Sequence, residues 1–310
     1  MNKIIFMGTS AFAVPALTAL NKSIYEVALV VTQPDRPKGR GRKLLPSPVK
    51  AAAVNMGFDL IQPEKINTDE FDKKISEINP DLFVVAAYGH KLTEQLLKIP
   101  PKGTVNIHPS LLPKYRGPAP IQWAIINMEQ KTGVTTMLMD KGLDTGAILQ
   151  TAESIITLDD TTDTLGARLS LMGADLLLDT IDNLTAEKIK PVPQNNDSAT
   201  YAPLFKKKDG HIDWATSARN IEAFIRGVTP WPGAFTFLSG KRLKIFKAAI
   251  VQGDAGVKPG TVLHGFDNEL RIATGKEMLS ITELQGASGK RLAVEIFLRG
   301  CKIPPGTILS

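Results

Sequence analysis

Apolar residues follow two rhythms along this chain, and the change from one to the other divides it. In the first part, short unbroken apolar runs alternate with segments whose apolar residues recur every three or four positions: KIIFMG then AVPALTAL, EVALVVTQ then PVKAAAVNMG. Unbroken runs fit strands buried on both faces, and the three-to-four spacing fits helices packed on them. Together they predict βαβ units around a mostly parallel sheet. The rhythm continues through DLFVVAAYG, a helix around Leu92–Leu97, GTVNIH and a helix around Ile121–Met128. VTTMLMD and AILQTAESI are expected to pair as a hairpin across the loop DKGLDTG, and a long helix is expected from Thr164 to Leu184.

Residues 189–205, IKPVPQNNDSATYAPLF, have no sustained period and the Pro, Asn and Ser content of a linker. This places a first domain over 1–188 and a second over 206–310. Past the linker, Trp214, Ala218, Ile221, Ile225 and Val228 line one helical face, with Arg219 and Arg226 off it. The period then drops to two. AFTFLSGKRLKIFKA reads as two strands joined at Ser239-Gly240, and TVLHGFDNELRIATG repeats the theme with turns at Gly265 and Asn268. A small β-barrel is expected.

Composition narrows the setting. With 310 residues, 43% of them hydrophobic, the chain can bury two cores of ordinary size. Its single cysteine, Cys301, can form neither an internal disulfide nor a Cys-rich metal site, as expected of a protein kept in a reducing cytoplasm. The apolar run after Lys3 is too short for a signal peptide and reads as strand, glycine turn and helix. No stretch approaches the roughly 20 apolar residues of a membrane span.

Charge is unevenly placed. Residues 1–205 carry 21 Lys and Arg against 22 Asp and Glu, whereas residues 206–310 carry 16 against 9. Within the first part, residues 31–50 break the balance, with Arg36, Lys38, Arg40, Arg42, Lys43 and Lys50 opposed by Asp35. Two separate basic surfaces fit a polyanion held at two places, and charge alone fits a solvated, soluble surface equally well.

Candidate chemistry sits where GTVNIH ends and a Pro-rich loop begins. Residues two apart on a strand face the same way, so Asn106 and His108 point together from the carboxyl end of a strand, the usual ligand position in open α/β sheets. The Asn amide can donate to a developing oxyanion, and a carboxylate could orient the imidazole and hold its proton. Asp140 and Asp144 are both candidates on spacing, and either could instead shape the loop as an Asx-turn. By contrast, MGTSAF lacks the full G-x-G-x-x-G fingerprint, so a nicotinamide site has little support.

The segments NIHPSLLPKYRGPAPIQWA, MDKGLDTG and TQPDRPKGRGRKLLPSPVK, with PWPGAFT further on, resemble the methionyl-tRNA formyltransferase family over nearly the whole chain. The resemblance implies a Rossmann-like formyltransferase domain followed by a small OB-like β-barrel domain. It also implies transfer of the formyl group of 10-formyltetrahydrofolate to the α-amino group of methionyl initiator tRNA. By motif position it places catalytic roles on Asn106, His108 and Asp144, and folate contacts on Ser110, Leu111, Leu112 and Pro113. A pocket edge at Ala86, Ala87, Tyr88 and Gly89 is expected beside them. The tRNA contacts implied are Arg36, Arg40, Arg42 and Lys43 in the basic loop, and Lys206, Lys207, Lys208, Lys241, Arg242, Lys244 and Lys247 in the second domain. No metal is expected, and the chain is expected to act as a monomer. A folate-dependent formyltransferase acting on a ribonucleotide or amino-sugar nucleotide would share the Asn, His and Asp core, but would need neither basic surface.

Overall fold

A computed structural model describes residues 3–38, 43–264, 268–287 and 289–310. Two compact units emerge: Met1–Pro120 with Lys131–Ile155 and Gly166–Ala202, and Ile121–Gln130 with Ile156–Leu165 and Pro203–Ser310.

The first unit begins with β1 (Lys3–Gly8), α1 (Val14–Asn21) and β2 (Glu26–Val31). A short ribbon follows, β3 (Arg36–Lys38) against β4 (Lys43–Leu45), then α2 (Pro48–Met56), β5 (Leu60–Ile61), α3 (Asp69–Glu77), β6 (Leu82–Ala86), α4 (Glu94–Leu97) and β7 (Thr104–His108). The hairpin of β8 (Lys131–Leu138) and β9 (Ile148–Ile155) follows in this unit, with α6 (Thr162–Thr185) from Gly166 on; α5 (Pro120–Ile126), apart from Pro120, and the first turn of α6 belong to the second unit. The sheet order is β5-β2-β1-β6-β7-β8-β9, parallel through β7 and antiparallel beyond it.

The predicted pattern has a simple physical basis. β6 and β7 are buried at every position because helices cover both faces of a parallel sheet, whereas β9 past Leu149 alternates half-buried and exposed residues as an edge strand does. Helix α2 starts where Ser47 accepts from the Lys50 amide ahead of Pro48, and stops at Gly57 in the left-handed region. Ile5, Met7, Val31, Phe83 and Val85 form a core with Phe71 and Ile75 of α3.

Two segments of this unit carry more structure than their lack of period suggests. The basic segment expected to be a plain loop is the β3–β4 ribbon as far as it is described. The segment expected to be a linker is fastened to the first unit from Val192 to Ala202: Val192 exchanges backbone hydrogen bonds with Ile148, and Ala202 with Arg116 and Ala119.

The second unit places α7 (Ala218–Gly227) before β10 (Ala234–Leu238), β11 (Lys241–Val251), β12 (Leu270–Ala273), β13 (Met278–Gln285), β14 (Leu292–Ala293) and α8 (Val294–Gly300). Ser217 caps α7 through the Asn220 amide, and Ala218, Ile221 and Ile225 form its buried face. β10 and β11 turn on Ser239 and Gly240, both with positive φ, as a two-residue primed turn requires.

The antiparallel order is β10-β11-β13-β12. The expected second hairpin forms only in part, since TVLHG contributes isolated bridges at Thr261 and Val262 and no strand. These bridges nevertheless close the barrel. Val262 pairs with Ile272 of β12, Thr261 pairs with Ile308, and Ser310 exchanges backbone hydrogen bonds with Phe237 of β10. The predicted turn at Gly265 lies outside the described residues, and Asn268 has the positive φ of a turn residue. Among the described residues no helix is long and apolar enough to cross a membrane.

Candidate active site

β7 delivers Asn106 and His108 to one face at its carboxyl end, 8% and 4% exposed. The imidazole Nε2 lies 3.0 Å from the carbonyl oxygen of Tyr115. A carbonyl can only accept, so Nε2 carries a hydrogen and, in the neutral ring, Nδ1 is left with its lone pair. Nδ1 lies 3.7 Å from Asp144 Oδ2, outside hydrogen-bond range, as expected for two facing acceptors. Burial pushes the His108 pKa below its ordinary value, while the Asp144 charge and the bond to the Tyr115 carbonyl work against that shift. Burial thus favours the neutral imidazole, with Nδ1 facing the Asp144 carboxylate.

The two aspartates left open by spacing take different places. Asp140 Oδ1 accepts from the Gly142 amide at 2.9 Å and from Thr145 Oγ1 at 2.6 Å, so it shapes the loop. Asp144 faces His108, with Oδ2 also accepting from the Gly117 amide at 2.8 Å. Asp144 itself sits at φ 53°, a left-handed conformation that Asp tolerates better than most residues.

Gly146 is required by close approach: a Cβ there would fall 1.7 Å from the Leu138 carbonyl oxygen. Gly146→Ala is expected to cost about 1–3 kcal/mol through the backbone shift it forces. Chemical denaturation checks this, and an unchanged midpoint would show that the loop yields freely.

The expected folate residues are split by the structure. Ser110 is fully buried and donates to the Lys114 carbonyl, while the Leu112 amide donates to Thr135 Oγ1, so the Ser-Leu-Leu-Pro turn is tied internally. Leu112 is buried, and Leu111 and Pro113 are half-buried. At the end of β6, Ala86 and Tyr88 turn into the core, and the Tyr88 carbonyl is held by Thr9 Oγ1 and Gln33 Nε2. That leaves Ala87 and Gly89, both at positive φ and exposed, as the surface edge of this turn.

Three residues had no trace in the periodicity. Gln194 Nε2 donates to the carbonyls of Asp144 and Gly146, at 2.9 and 2.7 Å. The guanidinium of Arg116, 2% exposed, donates to Gln194 Oε1 from Nε and Nη2, and from Nη2 also to Asn196 Oδ1. These partners are about 80 residues apart in sequence, where the chain shows only a polar linker.

The basic surfaces are also partly in view. Arg36 is exposed on β3 and Lys43 opens β4, whereas Arg40 and Arg42 lie outside the described residues. Asp35 roots this ribbon: it accepts from Lys50 Nζ at 2.7 Å and Gln62 Nε2 at 2.8 Å, and these bonds, led by Lys50, hold its carboxyl below the usual range.

On the second unit, Lys206, Lys207, Lys208, Lys241 and Lys247 are exposed and Lys244 is half-buried. The Arg242 guanidinium carbon lies 3.8 Å from the centre of the Phe235 ring. His211, not singled out by sequence, packs its ring against Phe235 and Phe237. Among the described residues no cluster of His, Cys, Asp and Glu could hold a metal ion.

Comparison with known proteins identifies the family of both parts of the chain. A family described as formyl transferase matches residues 2–181, and one described as formyl transferase, C-terminal domain, matches 205–302. The methionyl-tRNA formyltransferase of Caldanaerobacter subterraneus subsp. tengcongensis is 48% identical over 309 residues, covering 99% of this chain and 100% of that one.

Among solved structures, the N-formyltransferase of Helicobacter canadensis, in complex with folinic acid and dTDP-3-aminofucose, superposes with a TM-score of 0.68 at 21% identity, covering 94% of this chain and 100% of that one. HypX from Aquifex aeolicus with tetrahydrofolic acid gives 0.63 at 18% identity, and the match spans 96% of this chain but 47% of that one. At such identities the structural likeness speaks for the fold. Near-complete coverage at 48% identity speaks for more: the chain belongs to the methionyl-tRNA formyltransferase family.

Proposed function

We propose that this chain transfers the formyl group of 10-formyltetrahydrofolate to the α-amino group of methionyl initiator tRNA. The observation that carries the mechanism is the placement of His108, with Nε2 at the Tyr115 carbonyl and Nδ1 facing Asp144. A neutral amine attacking the formyl carbon gives a tetrahedral species with an oxyanion and an ammonium. Asn106 donates to the oxyanion. His108 takes the ammonium proton at Nδ1, and Asp144 stabilises the imidazolium so formed. The same proton passes to the folate nitrogen as its bond to the formyl carbon breaks, so the carbon–nitrogen bond made to methionine balances the one lost. Ala87 and Gly89 edge the folate side, with Leu111 and Pro113 of the neighbouring turn.

A formylation assay with 10-formyltetrahydrofolate and charged initiator tRNA yields formyl-methionine under this reading. Transfer to a ribonucleotide or amino-sugar nucleotide in its place would overturn it. Neither small acceptor would use the exposed lysines of the second unit, which are suited to tRNA phosphates.

Reversing Lys207 and Lys208 to Glu is therefore expected to raise the KM for tRNA and flatten its salt dependence, by roughly 0.9 in log–log slope for each phosphate no longer neutralised. An unchanged slope would assign these lysines to solubility alone.

A further inference from the structure

We infer that Gln194, held by the buried Arg116, is a positioning residue for Asp144, which makes the polar segment after α6 a working part of the active site. The inference rests on the proposed function, in which Asp144 supports His108.

Hydrogen-bond chemistry leaves the amide of Gln194 one orientation. A guanidinium only donates, so the two Arg116 groups that reach Gln194, at 3.0 and 2.8 Å, fix its oxygen. The amide nitrogen then faces two carbonyls, those of Asp144 and Gly146, which only accept. Both of its hydrogens are used, and they grip the turn at and just after Asp144, the residue that turns left-handed to present the catalytic carboxylate.

Arg116 is fastened in its turn. Its third bond goes to Asn196, and its backbone amide and carbonyl exchange hydrogen bonds with Thr200 and Ala202. Burying a guanidinium is costly unless its donors are met, and here a neutral amide meets two of them. The loop that carries Asp144 is otherwise exposed at Lys141 and Leu143, so it has few apolar contacts to fix its shape. Gln194 adds a hold on the backbone of the turn to those made by Asp140 and the Gly117 amide.

Gln194→Glu separates this role from a purely structural one. Glutamate still accepts from Arg116, and does so as an ion pair, so folding is retained. It cannot donate to the Asp144 and Gly146 carbonyls, so the grip on the turn is lost. The expected result is a fall in kcat of about 10- to 100-fold, the range for a displacement of the order of 1 Å at a reacting group. KM for tRNA and folate should stay within about 2-fold and the melting temperature close to that of the parent chain.

The decisive readout is a cycle with Asp144→Ala. If Gln194 acts through Asp144, Gln194→Glu costs nothing further once the carboxylate is gone. An equal loss in both backgrounds would overturn the inference. So would a fully active Gln194→Glu beside an impaired Asp144→Ala, which would leave the functional reading intact. A fully active Asp144→Ala would instead overturn that reading itself, and the inference with it. Arg116→Lys gives a second cycle should the glutamate variant fold poorly: it keeps the charge but loses the two-pronged hold on Oε1, and its smaller kcat loss should vanish in the same background.

Discussion

His108→Ala or Asp144→Asn is expected to lower kcat for formyl transfer by about 10²–10⁴-fold, with the double variant falling little further. Under the proposed mechanism the two side chains act on one proton, so removing either disables the same step, and effects within such a unit do not add. Additive losses would mean that they serve separate steps. The pH profile of the residual activity in Asp144→Asn adds a signed test. Burial lowers the His108 pKa and the Asp144 charge partly restores it, so neutralising that charge lowers it further. Activity that needs an unprotonated Nδ1 is lost as pH falls through the His108 pKa, so the acid limb of kcat should move to lower pH in the variant. An unmoved limb, or one displaced upward, would sink the assignment of Nδ1 as the working nitrogen.

The same shift has a consequence for stability. The folded chain binds a proton at His108 less readily than the unfolded chain, whose imidazole has the ordinary value of 6.5. Stability contributed by this site is present above that value and is lost as pH falls through it toward the lower folded pKa.

The parts of this molecule that repeat locally were legible in its sequence. Buried runs marked β1, β6 and β7, and a two-residue spacing on β7 placed Asn106 beside His108. Ser239-Gly240 marked the join of two strands, and the structure gives both residues the positive φ of a primed turn. What escaped was long in range or short in extent. Thr261 and Val262 close the barrel through isolated bridges, too few residues to show a period. The β3–β4 ribbon is three residues a side in a segment dominated by charge and proline.

The candidate site divides in the same way. Asp140 and Asp144 could not be told apart by spacing, because the choice rests on which one Thr145 and the Gly142 amide occupy. Arg116 and Gln194 lay in a polar loop and a polar linker, and only the folded chain brings them together.

Asn106→Ala is expected to lower kcat by about 10²–10³-fold, the cost of one lost donor to an oxyanion, with KM for the folate donor and for tRNA nearly unchanged. That asymmetry is what the measurement has to show. Under the proposed mechanism the charge that Asn106 meets exists only while the formyl carbon is tetrahedral, so the amide would favour the transition state over the bound substrate. A residue that merely walled the pocket would instead raise KM and spare kcat. The fold holds Asn106 firmly enough for this role, in β7 between Val85 of β6 and Met137 of β8, on a strand buried along its whole length, and the residue is itself 8% exposed. Asn106→Asp keeps the shape and replaces the donor with a carboxylate that repels the developing oxyanion. Its loss of kcat should therefore equal or exceed that of the alanine variant, whereas a role in packing alone predicts that the isosteric change is the milder of the two.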